Sequence, residues 1–92
     1  METKIVGLIS GRHPLPVQEY IFTGAVNPIG FEEMHNTVCA FLDTTKCGNL
    51  VVYVTGLTAC TVALVAECVK RGISLTLMHY NAADGTYVPQ AV

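Results

Sequence analysis

The residues best suited to bind a ligand lie in a short turn, residues 54–58, with the sequence VTGLT. An apolar, β-branched run precedes this turn and a helical pattern follows it. A glycine at such a turn lets the backbone approach a ligand closely, and the N–H groups at the start of the following helix favour an anion. We therefore predict ligand contacts from Thr55, Gly56, Leu57 and Thr58. The alternative interpretation is a purely structural turn in which a threonine caps the helix.

A second candidate segment is Ser10-Gly11-Arg12-His13, directly after the first apolar run. Arg12 is suited to a phosphate or to stacking on a base, because its guanidinium is planar, charged and rich in donors. His13 is suited to donating a hydrogen bond or to proton transfer near neutral pH. We predict that these four residues contact a ligand, and the alternative is an ordinary surface loop.

A third candidate segment, His79-Tyr80-Asn81, ends the last strongly apolar run. Tyr80 is suited to stacking on a nucleobase and Asn81 to hydrogen-bonding with its polar edge. The alternative is an aromatic residue packed at the end of a strand. The sequence contains no nucleophile motif and no paired-carboxylate site, and His13 and His79 are a candidate acid–base pair only if they converge. We therefore assign no catalytic residue.

The four cysteines, Cys39, Cys47, Cys60 and Cys68, form no CxxC motif and no Cys/His cluster with the spacing of a zinc site. Their pattern indicates small buried hydrophobic residues in a reducing compartment, and the alternative is a catalytic thiol. His35 is placed by its spacing on the exposed face of a helix, where we expect it to be solvated. We predict neither a metal nor a cofactor.

The elements that position these segments form a strand, turn, helix and strand over residues 49–78. Such a unit produces parallel strands, and ligands of open α/β sheets bind at the carboxyl edge of those strands. Residues 4–10 predict an earlier strand, and residues 19–26 an added strand or an edge hairpin with it. An Asp84-Gly85 turn predicts a C-terminal hairpin whose second arm is limited to the sheet edge by Pro89.

Two helices complete the pattern. The first is amphipathic, follows an N-capping Asn27-Pro28, and ends near Gly48. The second, from about Leu57 to Arg71 and ended by Gly72, is apolar on nearly all sides. We predict one α/β domain over residues 1–92: a small Rossmann-like, three- to four-stranded, mainly parallel sheet in two or three layers, with two helices and a C-terminal hairpin.

Composition narrows the possible partners. Of the 92 residues, 51% are hydrophobic and 13% are charged, so we expect the second helix to pack against another subunit in a homo-oligomer. Five Lys and Arg residues and a net charge of −2 argue against extended nucleic acid. The sequence has no signal peptide and no apolar stretch of the length a membrane span needs, so we expect a cytoplasmic protein without a membrane partner.

The first strand, the turn at residues 51–58 and the strand at residues 75–80 together resemble a minimal Rossmann-like nucleotide sensor. The order of elements over most of the chain is similar to that of small stand-alone CARF-like proteins associated with CRISPR systems, and of compact phage proteins that sequester nucleotide immune signals. The resemblance implies that Ser10 to His13 and Thr55 to Thr58 contact a cyclic oligonucleotide across a dimer two-fold. The chain departs from it in its short length, its extra hairpin and its lack of an effector domain.

The expected function is therefore to bind and sequester a small phosphorylated nucleotide signal as a homo-oligomer, in the host cytoplasm if the chain is phage-encoded. One alternative is a ring nuclease that cleaves a cyclic nucleotide of the same kind. Another is a structural interaction module with no nucleotide ligand.

Overall fold

The computed structural model of the chain describes residues 2–11 and 14–92. Over these residues the chain forms five strands and two helices. In chain order they are β1 (Thr3–Ile9), β2 (Tyr20–Phe22), α1 (Phe31–Thr45), β3 (Asn49–Tyr53), α2 (Thr58–Arg71), β4 (Ser74–Asn81) and β5 (Thr86–Ala91).

The strands form one mixed sheet in the order β2-β1-β3-β4-β5, in which the first four strands are parallel and β5 runs antiparallel to β4. The α/β class, the two helices and the C-terminal hairpin agree with the sequence prediction. The predicted number of three to four strands was too low. The difference arises at the edges, where the three-residue β2 joins parallel to β1 and β5 extends the sheet on the other side.

Both helices pack on one face of the sheet and against each other. Alternate residues of the three central strands point to this face and are at most 4% exposed, because successive side chains of a strand alternate between faces. These residues are Val6, Leu8, Leu50, Val52, Leu75 and Leu77. They meet Met34, Val38 and Leu42 of α1 and Cys60, Leu64 and Cys68 of α2 in a single core. The domain therefore has two layers.

The opposite face of the sheet carries an aromatic cluster. The ring of Tyr87 lies 4.8 Å from that of Tyr53 and 5.4 Å from that of Tyr80, measured between centroids. No described helix covers this face, and Tyr80 remains 52% exposed. Gly7 accommodates the ring of Tyr20 on the same face, since a Cβ atom at position 7 would lie 2.5 Å from its Cε1 atom.

The helix ends differ in part from the prediction. Helix α1 has Gly30, not Asn27, at its N-cap, because the Asn27 side chain instead accepts a hydrogen bond from the Ile29 N–H in a turn before the helix. The left-handed residue at its C-terminus is Lys46, with φ of 50°, two positions before the expected Gly48. Helix α2 ends as predicted at Gly72, which has φ of 71°.

Candidate functional site

The described residues of the three predicted segments, 10–11, 55–58 and 79–81, lie at one edge of the sheet. Because β1, β3 and β4 are parallel to one another, their carboxyl ends lie on the same side. The first two segments follow the ends of β1 and β3, and the third is the last three residues of β4. From β1 the chain passes to β2, which lies on one side of β1. It then passes through α1 to β3 and through α2 to β4, and both of these strands lie on the other side of β1. The direction of winding therefore reverses between β1 and β3. In open α/β sheets, this reversal leaves a crevice where ligands bind.

Thr55 joins the two strands at that point. The register of the β1–β3 ladder places Ile9 opposite Thr55 two residues beyond its last pair, Gly7 with Tyr53. The Thr55 hydroxyl donates a hydrogen bond to the Ile9 carbonyl at 3.0 Å and accepts one from the Ile9 N–H at 3.4 Å. The side chain is 4% exposed. Its hydroxyl therefore holds the site together and is not offered to a ligand in this conformation.

Two left-handed glycines border the same point. Gly56 has φ of 80° and Gly11 has φ of 78°, and both are exposed. A left-handed backbone favours glycine, and the missing side chain leaves the backbone open to a ligand. Ser10, next to Gly11, donates its N–H to the Phe22 carbonyl at 3.0 Å, which fixes the start of the loop.

Helix α2 begins two residues after Gly56. Thr58 is its first residue and is exposed, whereas Leu57 is half-buried and packs against the core. Leu57 occupies the N-cap position in an extended conformation, with no side-chain hydrogen bond to the helix. No threonine therefore caps the helix, and the first N–H groups of α2 are not satisfied by a capping side chain. The interpretation of a purely structural turn stays an alternative.

The third segment is partly used by the C-terminal hairpin. The His79 Nε2 atom lies 2.7 Å from Gln90 Oε1, and the Asn81 side chain accepts a hydrogen bond from the Ala83 N–H at 3.1 Å. Tyr80 points to the opposite face of the sheet from these two residues, because successive strand residues alternate. The three side chains therefore do not converge, and Tyr80 offers an exposed ring at the strand end.

Arg12 and His13 lie outside the residues that the structure describes. The predicted contacts of Arg12 with a phosphate, and of His13 with a ligand or with His79, therefore stay predictions. Of this segment the structure describes Ser10 and Gly11, which follow β1 directly.

The prediction of small buried cysteines is confirmed for two of the four. No disulfide joins them; Cys60 and Cys68 are fully buried, whereas Cys39 and Cys47 are half-buried. Burial raises the pKa of the Cys68 thiol to about 11, so this group is protonated at neutral pH. Cys68 is therefore a packing residue and not an activated nucleophile.

One polar cluster was not predicted from the sequence. His35 is exposed, as expected, but its Nε2 atom lies 3.5 Å from Cys39 Sγ and its Nδ1 atom 3.9 Å from Glu67 Oε1. The four-residue spacing of His35 and Cys39 on a helix is a signal for their contact. Glu67 belongs to the other helix, and its approach depends on how the two helices pack.

In the part of the chain that the structure describes, no helix has both the length and the apolar character needed to cross a membrane. The chain matches no known family model, no curated protein and no solved structure.

Proposed function

We propose that the chain binds a small phosphorylated nucleotide at the carboxyl edge between β1 and β3, and that it sequesters this ligand as a homo-oligomer. The observation that supports the proposal most directly is the reversal of winding at this point, where Thr55 holds the ends of the two strands together. Nucleotides of other open α/β sheets bind at the same topological position. The ligand class that we favour is a nucleotide signal such as a cyclic oligonucleotide.

The start of α2 favours the phosphate of such a ligand. The first N–H groups of an α-helix have no intrahelical acceptor, and the helix dipole adds partial positive charge at this end. Helix α2 begins two residues after the exposed, left-handed Gly56. Backbone donors therefore compensate for the low content of Lys and Arg, which number five in the chain.

The state of the described side chains favours binding over cleavage. The Thr55 hydroxyl is engaged by both backbone groups of Ile9, and the His79 ring is engaged by Gln90. Neither group is positioned to activate a ribose hydroxyl in this conformation. We therefore favour a protein that sequesters the nucleotide and releases it intact over a ring nuclease that cleaves it.

A thermal-shift screen of cyclic and linear nucleotides tests the proposal. A ligand that binds only the folded chain adds about 2.7 kcal/mol to the free energy of unfolding at 100 times its Kd, and this raises the temperature at which the chain unfolds. Chromatography of the ligand after incubation then separates the activities: intact nucleotide supports sequestration, and linear fragments identify a nuclease. A structural interaction module would show no shift with any nucleotide.

A pair of glycine variants at the two ends of α2 tests the position of the site. Gly56→Val adds a side chain where the ligand approaches, and Gly72→Val adds the same side chain to a second left-handed glycine at the opposite edge. Both variants carry a similar conformational strain of about 1–3 kcal/mol. We expect only Gly56→Val to abolish nucleotide binding in a folded protein. Equal affinities of the two variants in a titration would place the site elsewhere.

A further inference from the structure

Three side chains that are able to ligate a metal ion meet where α1 packs against α2. His35 and Cys39 lie four residues apart on the same face of α1, and Glu67 approaches them from α2. One ligand atom from each residue lies within 4.8 Å of the other two. The three residues lie between the helices, and none of them belongs to the proposed nucleotide site; the groove beside them reaches that site at Thr58.

The distances within the cluster are close to those of a tetrahedral metal site. The His35 Nδ1 atom lies 4.0 Å from Cys39 Sγ and 3.9 Å from Glu67 Oε1. Bond lengths of zinc to nitrogen, sulfur and oxygen ligands imply separations of about 3.3–3.6 Å between ligand atoms in a tetrahedron. The two separations that involve His35 exceed these values by a few tenths of an ångström, and the third is at most 4.8 Å. The His35 side chain is 55% exposed and has room to adjust, and the approach of Cys39 to Glu67 requires a small movement of α1 against α2 or of their side chains.

The carboxylate of Glu67 is held in the manner of a metal ligand. Its side chain is only 8% exposed, and its Oε2 atom accepts a hydrogen bond from Arg71 Nε at 2.8 Å, which leaves Oε1 facing His35. Arg71 is itself paired with Asp43 through Nη1 at 2.7 Å. Metal-ligating carboxylates are commonly oriented by such outer hydrogen bonds. The bond from Arg71 also lowers the pKa of Glu67, so that the carboxylate is ionised near neutral pH.

The charges of the cluster are complementary to a divalent cation. The positive charge of Arg71 is balanced by the carboxylate of Asp43, to which it is bound. Glu67 then supplies one negative charge, and Cys39 supplies a second when it binds a metal as the thiolate. Neutral His35 adds a nitrogen ligand without a charge, so the ligand set carries two negative charges against the two positive charges of the ion.

A groove beside the cluster leaves room for a fourth ligand. His35 forms part of its wall, and the remainder is apolar or small: Phe31, Met34, Thr58, Ala59, Val62, Ala63 and Ala66. Its volume of about 420 Å³ is within the range of small-molecule sites. Three protein ligands with an open fourth position are the arrangement of zinc sites that bind water or a small molecule.

We propose that His35, Cys39 and Glu67 form a binding site for a transition-metal ion of the zinc class, with its fourth position open to this groove. The combination of thiolate, imidazole and carboxylate suits Zn²⁺ better than it suits Mg²⁺ or Ca²⁺, which prefer oxygen ligands alone. The rival interpretation is a metal-free polar network, in which protonated His35 pairs with Glu67.

Titration of the reduced, chelator-treated protein with Co²⁺ separates these interpretations. We expect one Co²⁺ per chain, with a thiolate-to-metal absorption band in the near ultraviolet, the visible bands of a tetrahedral ion, and displacement by Zn²⁺. A protein that binds no Co²⁺ at millimolar concentration overturns the proposal. Binding without the thiolate band also overturns it, because Cys39 would then not be a ligand. This readout uses the unaltered chain and does not depend on nucleotide binding.

Matched variants locate the ion. Cys39→Ser and His35→Ala should each weaken Co²⁺ binding by at least about 100-fold, since even the loss of an outer hydrogen bond costs 10- to 100-fold at metal sites. Cys47→Ser removes another half-buried thiol outside the cluster and should leave binding unchanged. Retention of full affinity in both His35→Ala and Cys39→Ser, or loss only in Cys47→Ser, overturns the assignment.

Discussion

The Thr55 side chain takes the place of backbone hydrogen bonds between β1 and β3 beyond the end of their ladder. The β1–β3 ladder ends at Gly7 and Tyr53, yet the strands need to stay together for two more residues if the two loops are to flank one ligand. The Thr55 hydroxyl both donates to and accepts from the backbone of Ile9. It satisfies two buried backbone groups that would otherwise lack a partner on this side.

Thr55→Val should therefore destabilise the fold, although the two side chains have nearly the same shape. The change leaves the buried N–H and C=O groups of Ile9 without the hydroxyl, and each unsatisfied group costs about 1–3 kcal/mol. Urea denaturation should show a loss of about that size in the free energy of unfolding. Thr58→Val, at an exposed position in the same turn, is the control and should change stability by less than about 0.5 kcal/mol.

At this scale the sequence predicted where Thr55 lies but not what it does. Its position before a turn glycine indicated a ligand contact, whereas its actual partner, Ile9, is 46 residues away. The same limit applies to Glu67, whose contacts with His35 and Arg71 combine a helical spacing with the packing of two helices. Local spacing indicates which residues share a helix face, and it contains no information on what meets that face.

Among the elements, the sequence predicted those whose pattern is long and apolar. Helix α2 and the strands on either side of it were identified because a β-branched run, a helical run and Gly72 follow one another with little loop. The N-terminal end of α1 was not identified correctly, since the Asn27 side chain has two competing uses, as a helix cap and as the acceptor in a turn. Strand β2 is too short for its pattern to specify its partner, and its place depends on Gly7.

Gly7 gives β2 its place through the space that it leaves for Tyr20. A Cβ atom at position 7 would lie 2.5 Å and 2.6 Å from two atoms of the Tyr20 ring. Gly7→Ala should therefore displace the ring and weaken the β1–β2 pairing, at a cost of about 1–3 kcal/mol, typical of overpacking. The measurement is the free energy of unfolding in urea.

A double-mutant cycle isolates this contact from the general effect of alanine in a strand. In a Tyr20→Ala background the ring is absent, and Gly7→Ala should cost less than it does in the original chain, or even stabilise a strand that glycine weakens. An equal cost of Gly7→Ala in both backgrounds would show that the ring of Tyr20 does not determine the need for glycine.

At the scale of the whole molecule, the two-layer fold leaves several large apolar side chains exposed. One sheet face carries the tyrosine cluster and Ile5, which is 54% exposed. Helix α2 presents Val62 and Val69, which are 61% and 64% exposed and lie two helical turns apart on one stripe. The sequence predicted that α2 would have excess apolar surface. The uncovered sheet face could not be predicted, because it depends on both helices packing on the same side.

We expect the α2 stripe to be the contact between two copies of the chain. An exposed apolar stripe on a helix buries itself most readily against the same stripe of a second copy, in a two-fold arrangement. Val65, between the two exposed valines, packs partly against the core of its own chain, so it is a poor position for a test. Val69 is the better position because it is exposed and makes no contribution to the buried core.

Val69→Lys should convert the oligomer to a monomer without unfolding it. Lysine has a higher helix propensity than valine, and its charge suits the last turn of α2, so the helix itself should not suffer. A charge brought into an apolar contact between subunits is costly, because it is removed from water without a partner. Light scattering at micromolar concentration should give the mass of an oligomer for the original chain and of one chain for Val69→Lys.

Ala40→Lys, at an exposed position of α1, is the matched control and should remain oligomeric. A mass of one chain before any substitution would contradict self-association altogether, and an unchanged mass in Val69→Lys would place the interface on a surface other than the α2 stripe.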